Sequence, residues 1–124
     1  MPPKPTTEAD IWDLINAAEA RMTVRQERLW QAIRIMPQRW RQHPYGNLTE
    51  GFWVVAILGT RVLWFNEIEG GFNRSHFSRY GLIDEYFCDQ SGLEEAVQDL
   101  VDIIDTGLDI DGRSRGPLPG EYQG

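Results

Sequence analysis

The chain has one cysteine (Cys88), one lysine (Lys4), two histidines (His43 and His76) and no long apolar run. A single cysteine excludes an internal disulfide framework and fits a reducing compartment. No stretch approaches the ~20 apolar residues needed to cross a bilayer. The opening Met1-Pro2-Pro3-Lys4-Pro5-Thr6-Thr7 lacks the apolar core of a secretory signal, so a cytoplasmic setting is expected. Zinc asks for about four ligands, usually Cys or His. With His43, His76 and Cys88 as the whole supply and no short paired spacing, neither a metal nor another cofactor is expected. What the chain does have is apolar residues, 41% of 124, enough for one compact domain.

Its charge is unevenly placed. The net charge is −7. Residues 1–45 carry seven Lys/Arg against five Asp/Glu, a net of +2, whereas residues 46–112 carry three Arg against thirteen Asp/Glu, a net of −10. Nucleic acids and anionic membranes reward a cationic surface, so both are disfavoured as partners. An acidic body instead favours a basic partner or high solubility.

Three helices are expected. Thr7 and Asp10 resemble a capping box, and Ile11, Leu14, Ile15 and Ala18 recur at helical spacing, which predicts a helix over about 7–20. Thr23 with Gln26 opens a second. Residues 33–42 read either as its continuation up to Pro37 or as an extended edge segment. Ser91 with Glu94 predicts a third helix, whose apolar face is Leu93, Ala96, Val97, Leu100, Val101 and Ile104 and whose C-cap is Gly107.

The strongest strand signal is Phe52–Leu58, joined by Gly59-Thr60 to Arg61–Asn66. A two-residue Gly-X link predicts a tight II′ hairpin. That turn pairs Leu58 with Arg61, Ile57 with Val62, Ala56 with Leu63, Val55 with Trp64, Val54 with Phe65 and Trp53 with Asn66. One face then carries Trp53, Val55, Ile57, Val62 and Trp64, and the other Phe52, Val54, Ala56, Leu63 and Phe65. Both are apolar, so each must be covered. Helices can cover one face; the other needs a further layer or a partner, and a homodimer through it is one outcome. Further strands are expected at 75–80 and 84–88. The result is an α+β domain over 7–108: an antiparallel sheet of four or five strands, with N-terminal helices and a C-terminal helix packed on it. Residues 1–6 read as a flexible lead and 109–124 as a Gly/Pro-rich tail.

Local chemistry is sparse. Ser75-His76 are adjacent, and neighbouring strand residues point to opposite faces, so a nucleophile–base pair is not favoured there. Asp105–Gly112 echoes a calcium loop but lacks its first and last ligands. Glu67 and Glu69 flank Ile68 beside Gly70-Gly71, where they serve either as edge charges or, with His76, as the acids of a small hydrolase. Arg39-Trp40-Arg41 is the one cation–aromatic cluster; it is too narrow for RNA and suits pairing with the acidic body. The third helix crowds Glu94, Glu95, Asp99, Asp102 and Asp105 on its outer side with no cation of its own. Like charges four apart cost a few tenths of a kcal/mol each. Anions near a helix C-terminus cost roughly 0.3–1 kcal/mol more.

The run Gly51–Gly59, continued by Val62–Glu69, Gly71-Phe72-Asn73, Tyr80-Gly81 and Glu85-Tyr86, resembles a family of small bacterial proteins over residues 33–105. In size and acidity that family is similar to the immunity proteins that neutralise toxins in interbacterial competition. The resemblance implies a non-catalytic acidic protein that binds a basic protein partner, with a toxin as the instance. On the residues themselves, the expected contacts are Glu67, Glu69, Asp84, Glu85, Glu95, Asp99 and Asp102, with Tyr80 and Tyr86 as aromatic anchors.

Overall fold

A computed structural model describes residues 6–107. The expected lead and tail lie outside the described residues, apart from Thr6. Two capping boxes set the N-terminal helices. Thr7 Oγ1 accepts from the Asp10 N–H at 3.1 Å, and the Asp10 carboxylate accepts from the Thr7 N–H at 2.9 Å, opening α1 (Glu8–Arg21). Thr23 and Gln26 repeat the device for α2 (Val24–Ile33). Strand β1 (Arg34–Trp40) begins at the residue after α2, so the extended reading of residues 33–42 holds. Pro37 explains the stop: it disfavours a helical Met36 and is tolerated in a strand at the sheet edge.

Strands β2 (Phe52–Leu58), β3 (Arg61–Asn66) and β4 (Gly71–His76) complete a four-stranded antiparallel sheet of order β1-β2-β3-β4. Gly59 takes φ 60 at the β2–β3 turn. The expected register holds for Leu58–Arg61, Ile57–Val62 and Ala56–Leu63, then slips. Val54 pairs with Trp64 and Trp53 with Phe65, which leaves Val55 as an extra residue. On the other side of β2, the ladder to β1 jumps from Arg34–Ala56 to Gln38–Val54. The Val55 bulge thus sits against the Ile35–Pro37 excursion. It also corrects the expected faces. Trp53 and Val55 join Ala56, Leu63 and Phe65 on the helix side, while Phe52 and Val54 join Ile57, Val62 and Trp64 on the far side.

All three helices cover one face. Ile11, Ile15, Trp30 and Ile33 meet Val97 and Leu100 of α3 (Leu93–Thr106) above Val55, Leu63 and Phe72. The far face, to which β1 adds Trp40, is covered by the chain itself through Ile83 and Tyr86, with Tyr45 and Phe77 packed beside them. Of the two covers expected for this face, a further layer or a partner, the chain supplies the further layer itself. The strand expected at 75–80 lies instead at Gly71–His76. Gly71 sits inside a strand because an added Cβ would fall 2.2 Å from Gln90 Cα, a close approach only glycine permits. Residues 84–88 form no strand, yet they run along β4. Asn73 Nδ2 donates to Asp89 O (3.1 Å) and its Oδ1 accepts from the Asp89 N–H (2.9 Å), while Ser75 Oγ donates to Glu85 O (2.9 Å) and the Phe72 N–H to Ser91 O (2.8 Å). Side chains replace the ladder and seal the edge. The N-cap of α3 is Gly92, one residue later than expected, and its N–H donates to the Glu95 carboxylate at 2.9 Å. Gly107 closes the helix with φ 71, as expected.

Candidate functional site

The acidic helix is partly neutralised by arginines distant in sequence. Arg21, at the end of α1, donates through Nε (2.9 Å) and Nη2 (3.1 Å) to Glu94. This fork draws the Glu94 carboxyl below its ordinary value and raises the Arg21 guanidinium. Arg25 in α2 pairs with Asp105 and is raised by that hydrogen bond. Arg74 in β4, a buried side chain, reaches Asp99 at 2.9 Å. The helix supplies no cation of its own, but the fold supplies three.

Glu67 is not a surface group. Its side chain is 1% exposed and accepts from Arg39 Nη1 at 2.8 Å, with the Thr6 N–H as a second donor. The same Arg39 donates to the carbonyls of Thr49 (2.8 Å), Gly51 (2.9 Å) and Thr6 (2.7 Å), and lies 4.7 Å over the Trp53 ring. Trp53 Nε1 also donates to Thr6 O at 2.8 Å. One guanidinium therefore ties the segment before α1, the entry to β2 and the end of β3. Arg34 plays a similar part, bonded to Glu19 at 2.8 Å and lying 5.5 Å over both Trp12 and Trp30.

Tyr86 is buried as well, stacked on Tyr45 with centroids 4.1 Å apart and packed near Phe52 and Trp64. Burial pushes its hydroxyl above the usual phenolic value. It is a core group rather than an anchor. Tyr80 is the aromatic left outside, 66% exposed, with its ring 4.8 Å from Trp40 and its hydroxyl donating to Gln38 Oε1 at 2.6 Å.

The remaining expected contacts line the sealed β4 edge and the outer ridge of α3. Glu69 is held near the α3 approach by Gln90 Nε2, which donates to its carbonyl at 3.0 Å. At the other end of β4, the Asp84 N–H donates to His76 O (3.2 Å), and Glu85 Oε1 accepts from the His76 N–H (2.8 Å) and lies 3.2 Å from His76 Nδ1. Glu95 and Asp102 lie on the exposed side of α3, and Asp102 accepts from Gln98 Nε2 at 2.9 Å. No arginine among the described residues comes within 4 Å of Glu69, Asp84, Glu95 or Asp102. The carboxylates that remain are exposed or half-exposed: Glu95 and Asp102 on α3, Glu69 in the turn before β4, and Asp84 and Glu85 in the segment beside it.

The hydrolase set does not assemble. Asn66 pairs with Gly71 at one end of the β3–β4 ladder and Arg61 with His76 at the other. Glu67 and His76 are thus about five strand residues, or roughly 17 Å, apart. Among the described residues, no group of three His, Cys, Asp or Glu could hold a metal ion, and no helix is long and apolar enough to cross a membrane. Sequence reasoning missed Arg21, Arg25 and Arg74. The four-residue step from Arg21 to Arg25 across the α1–α2 junction is the signal it offered. No known protein family, curated protein or solved structure matches the chain.

Proposed function

We propose that the protein is a non-catalytic binding protein of the cytoplasm. Its acidic ridge docks a basic protein partner, as an immunity protein occludes the cationic surface of a toxin. The observation that carries this reading is a division among the carboxylates. The fold's arginines take up Glu67, Glu94, Asp99 and Asp105, and leave Glu69, Asp84, Glu95 and Asp102 without one. Glu85 extends the ridge beside His76, and Tyr80 offers an exposed ring on a neighbouring face. Glu95 caps the first turn of α3, but Asp102, near its last turn, opposes the helix dipole and is unfavourable for folding alone, and a cationic partner removes that cost. Aligned charge also steers encounter, so association slows steeply with salt.

The test is capture of partners from the native host at low salt, using the wild-type protein and the Glu69→Arg/Asp102→Arg variant, which leaves the α3 cap intact. The expected result is a basic protein retained by the wild type, released by salt, and lost from the variant. Equal retention by both, or no basic protein on the wild type, overturns the reading.

A further inference from the structure

We infer that the protein has a second binding site, separate from the acidic ridge, for a small amphiphile: an aliphatic chain ending in a single anionic group. The site is a groove of about 580 Å³ between α2 and the last turns of α3. Its apolar lining is Val101, which is buried, Leu29, which is half-buried, and the exposed Val24, Ala32 and Ile104. Val24 is 69% and Ile104 55% exposed, so two of the largest uncovered apolar side chains meet in one place. None of these five side chains carries a polar atom. The polar groups that remain in the lining are Arg25 and Arg28, three residues apart along one edge of α2.

Charge complementarity selects the occupant. Arg25 is shared with Asp105, whereas Arg28 has no carboxylate partner among the described residues. An apolar trough with one uncommitted guanidinium matches a hydrocarbon chain with an anionic end, because the planar donor fork of arginine grips a carboxylate or phosphate. A neutral chain would leave the guanidinium unanswered, and a cationic one would be repelled.

Size favours a small ligand over a protein. The volume lies within the roughly 300–1,000 Å³ of small-molecule sites, whereas a standard protein interface engages about 20–30 residues a side. The groove offers seven. From Val24 to Ala32 the helix rises about 12 Å, room for one extended chain of medium length.

The test is calorimetric titration of the full chain with decanoate, decanol and decyltrimethylammonium below their micellar concentrations. Decanoate is expected to bind saturably at one site and decanol at least tenfold more weakly, with no binding of the cation. Arg28→Glu weakens decanoate at least tenfold, and Ile104→Asp removes its binding; both side chains are exposed, and circular dichroism verifies that each variant is folded. Arg28→Lys, which keeps the charge, retains most of the affinity. Equal binding of decanol and decanoate overturns the inference, as does decanoate binding unchanged in folded Arg28→Glu. A wild-type dimer that Ile104→Asp converts to monomer, seen by sedimentation, would show a second copy in the groove and overturn it too.

Discussion

Two ion pairs of the same chemistry stand in opposite environments. Arg39–Glu67 lies inside the fold, with a carboxylate closed to solvent and a guanidinium shared among three carbonyls. Arg21–Glu94 lies on the surface, its arginine side chain 55% exposed. Exposed pairs contribute about 0–1 kcal/mol, because water screens the attraction and ordering long side chains costs entropy. Inside the fold, the penalty for leaving one partner alone dominates. The first pair therefore decides how three chain segments meet, and the second decides mainly which carboxylates of α3 are left without an arginine. A count of acidic residues treats Glu67 and Glu95 alike; burial separates them.

The largest effect that would sharpen this contrast is expected at Arg39. Arg39→Met strands the Glu67 carboxylate among Thr6, Trp53 and the β2 entry, and is expected to cost about 3–5 kcal/mol in urea unfolding. Adding Glu67→Leu to Arg39→Met should recover a large part of that loss, since no charge is then left buried. A loss below about 1 kcal/mol for the single variant would place this pair in the surface class.

Much of the fold was legible because its signals are local. Both N-terminal capping boxes, the Gly59 turn and the Gly107 cap each depend on residues at most three or four apart. Three hairpin pairs followed from that turn. The register failed at Val55, where the bulge answers an excursion of β1 some twenty residues earlier, and no local pattern encodes that meeting. The candidate site was less legible for the same reason. Arg21 lies 73 residues from Glu94, and Arg25 lies 80 from Asp105. Periodicity shows that α3 is acidic, but tertiary packing decides which acids are answered. Tyr86 looked like a surface anchor because its burial comes from Tyr45, Phe52 and Trp64, all brought from elsewhere in the chain.

Two pH effects of intermediate size follow. Burial raises the Tyr86 hydroxyl above its ordinary value of 10.0, so the folded state holds that proton more tightly than the unfolded chain. The corresponding stability is present below pH 10 and lost as pH rises through the folded value. Tyr86→Phe should flatten the alkaline fall of the unfolding free energy; an unchanged slope would mean that the ring is solvated. Glu94 has the opposite sign. Arg21 lowers its carboxyl below 4.5, so the stability it adds is present above that pH and fades as pH falls through the lowered value. In Arg21→Ala, NMR titration should show the Glu94 carboxyl moving back up, with a smaller change in stability than at Arg39.

The smallest expected effect bears most directly on function. Asp102 has no arginine partner among the described residues and sits one turn from the end of α3, where a negative charge opposes the helix dipole. Asp102→Asn keeps an acceptor for Gln98 Nε2 and removes only the charge. It is therefore expected to leave stability within about 0.5 kcal/mol of the wild type, with a small gain the favoured direction. On the proposed function, the same change should slow association with a basic partner, because it removes one negative charge from the docking surface. A substitution that leaves folding intact or improved while weakening binding is the expected mark of a residue held for recognition. If Asp102→Asn instead destabilises the protein by more than 1 kcal/mol, the carboxylate belongs with Glu67 as a structural group, and the ridge loses one of its two exposed positions on α3.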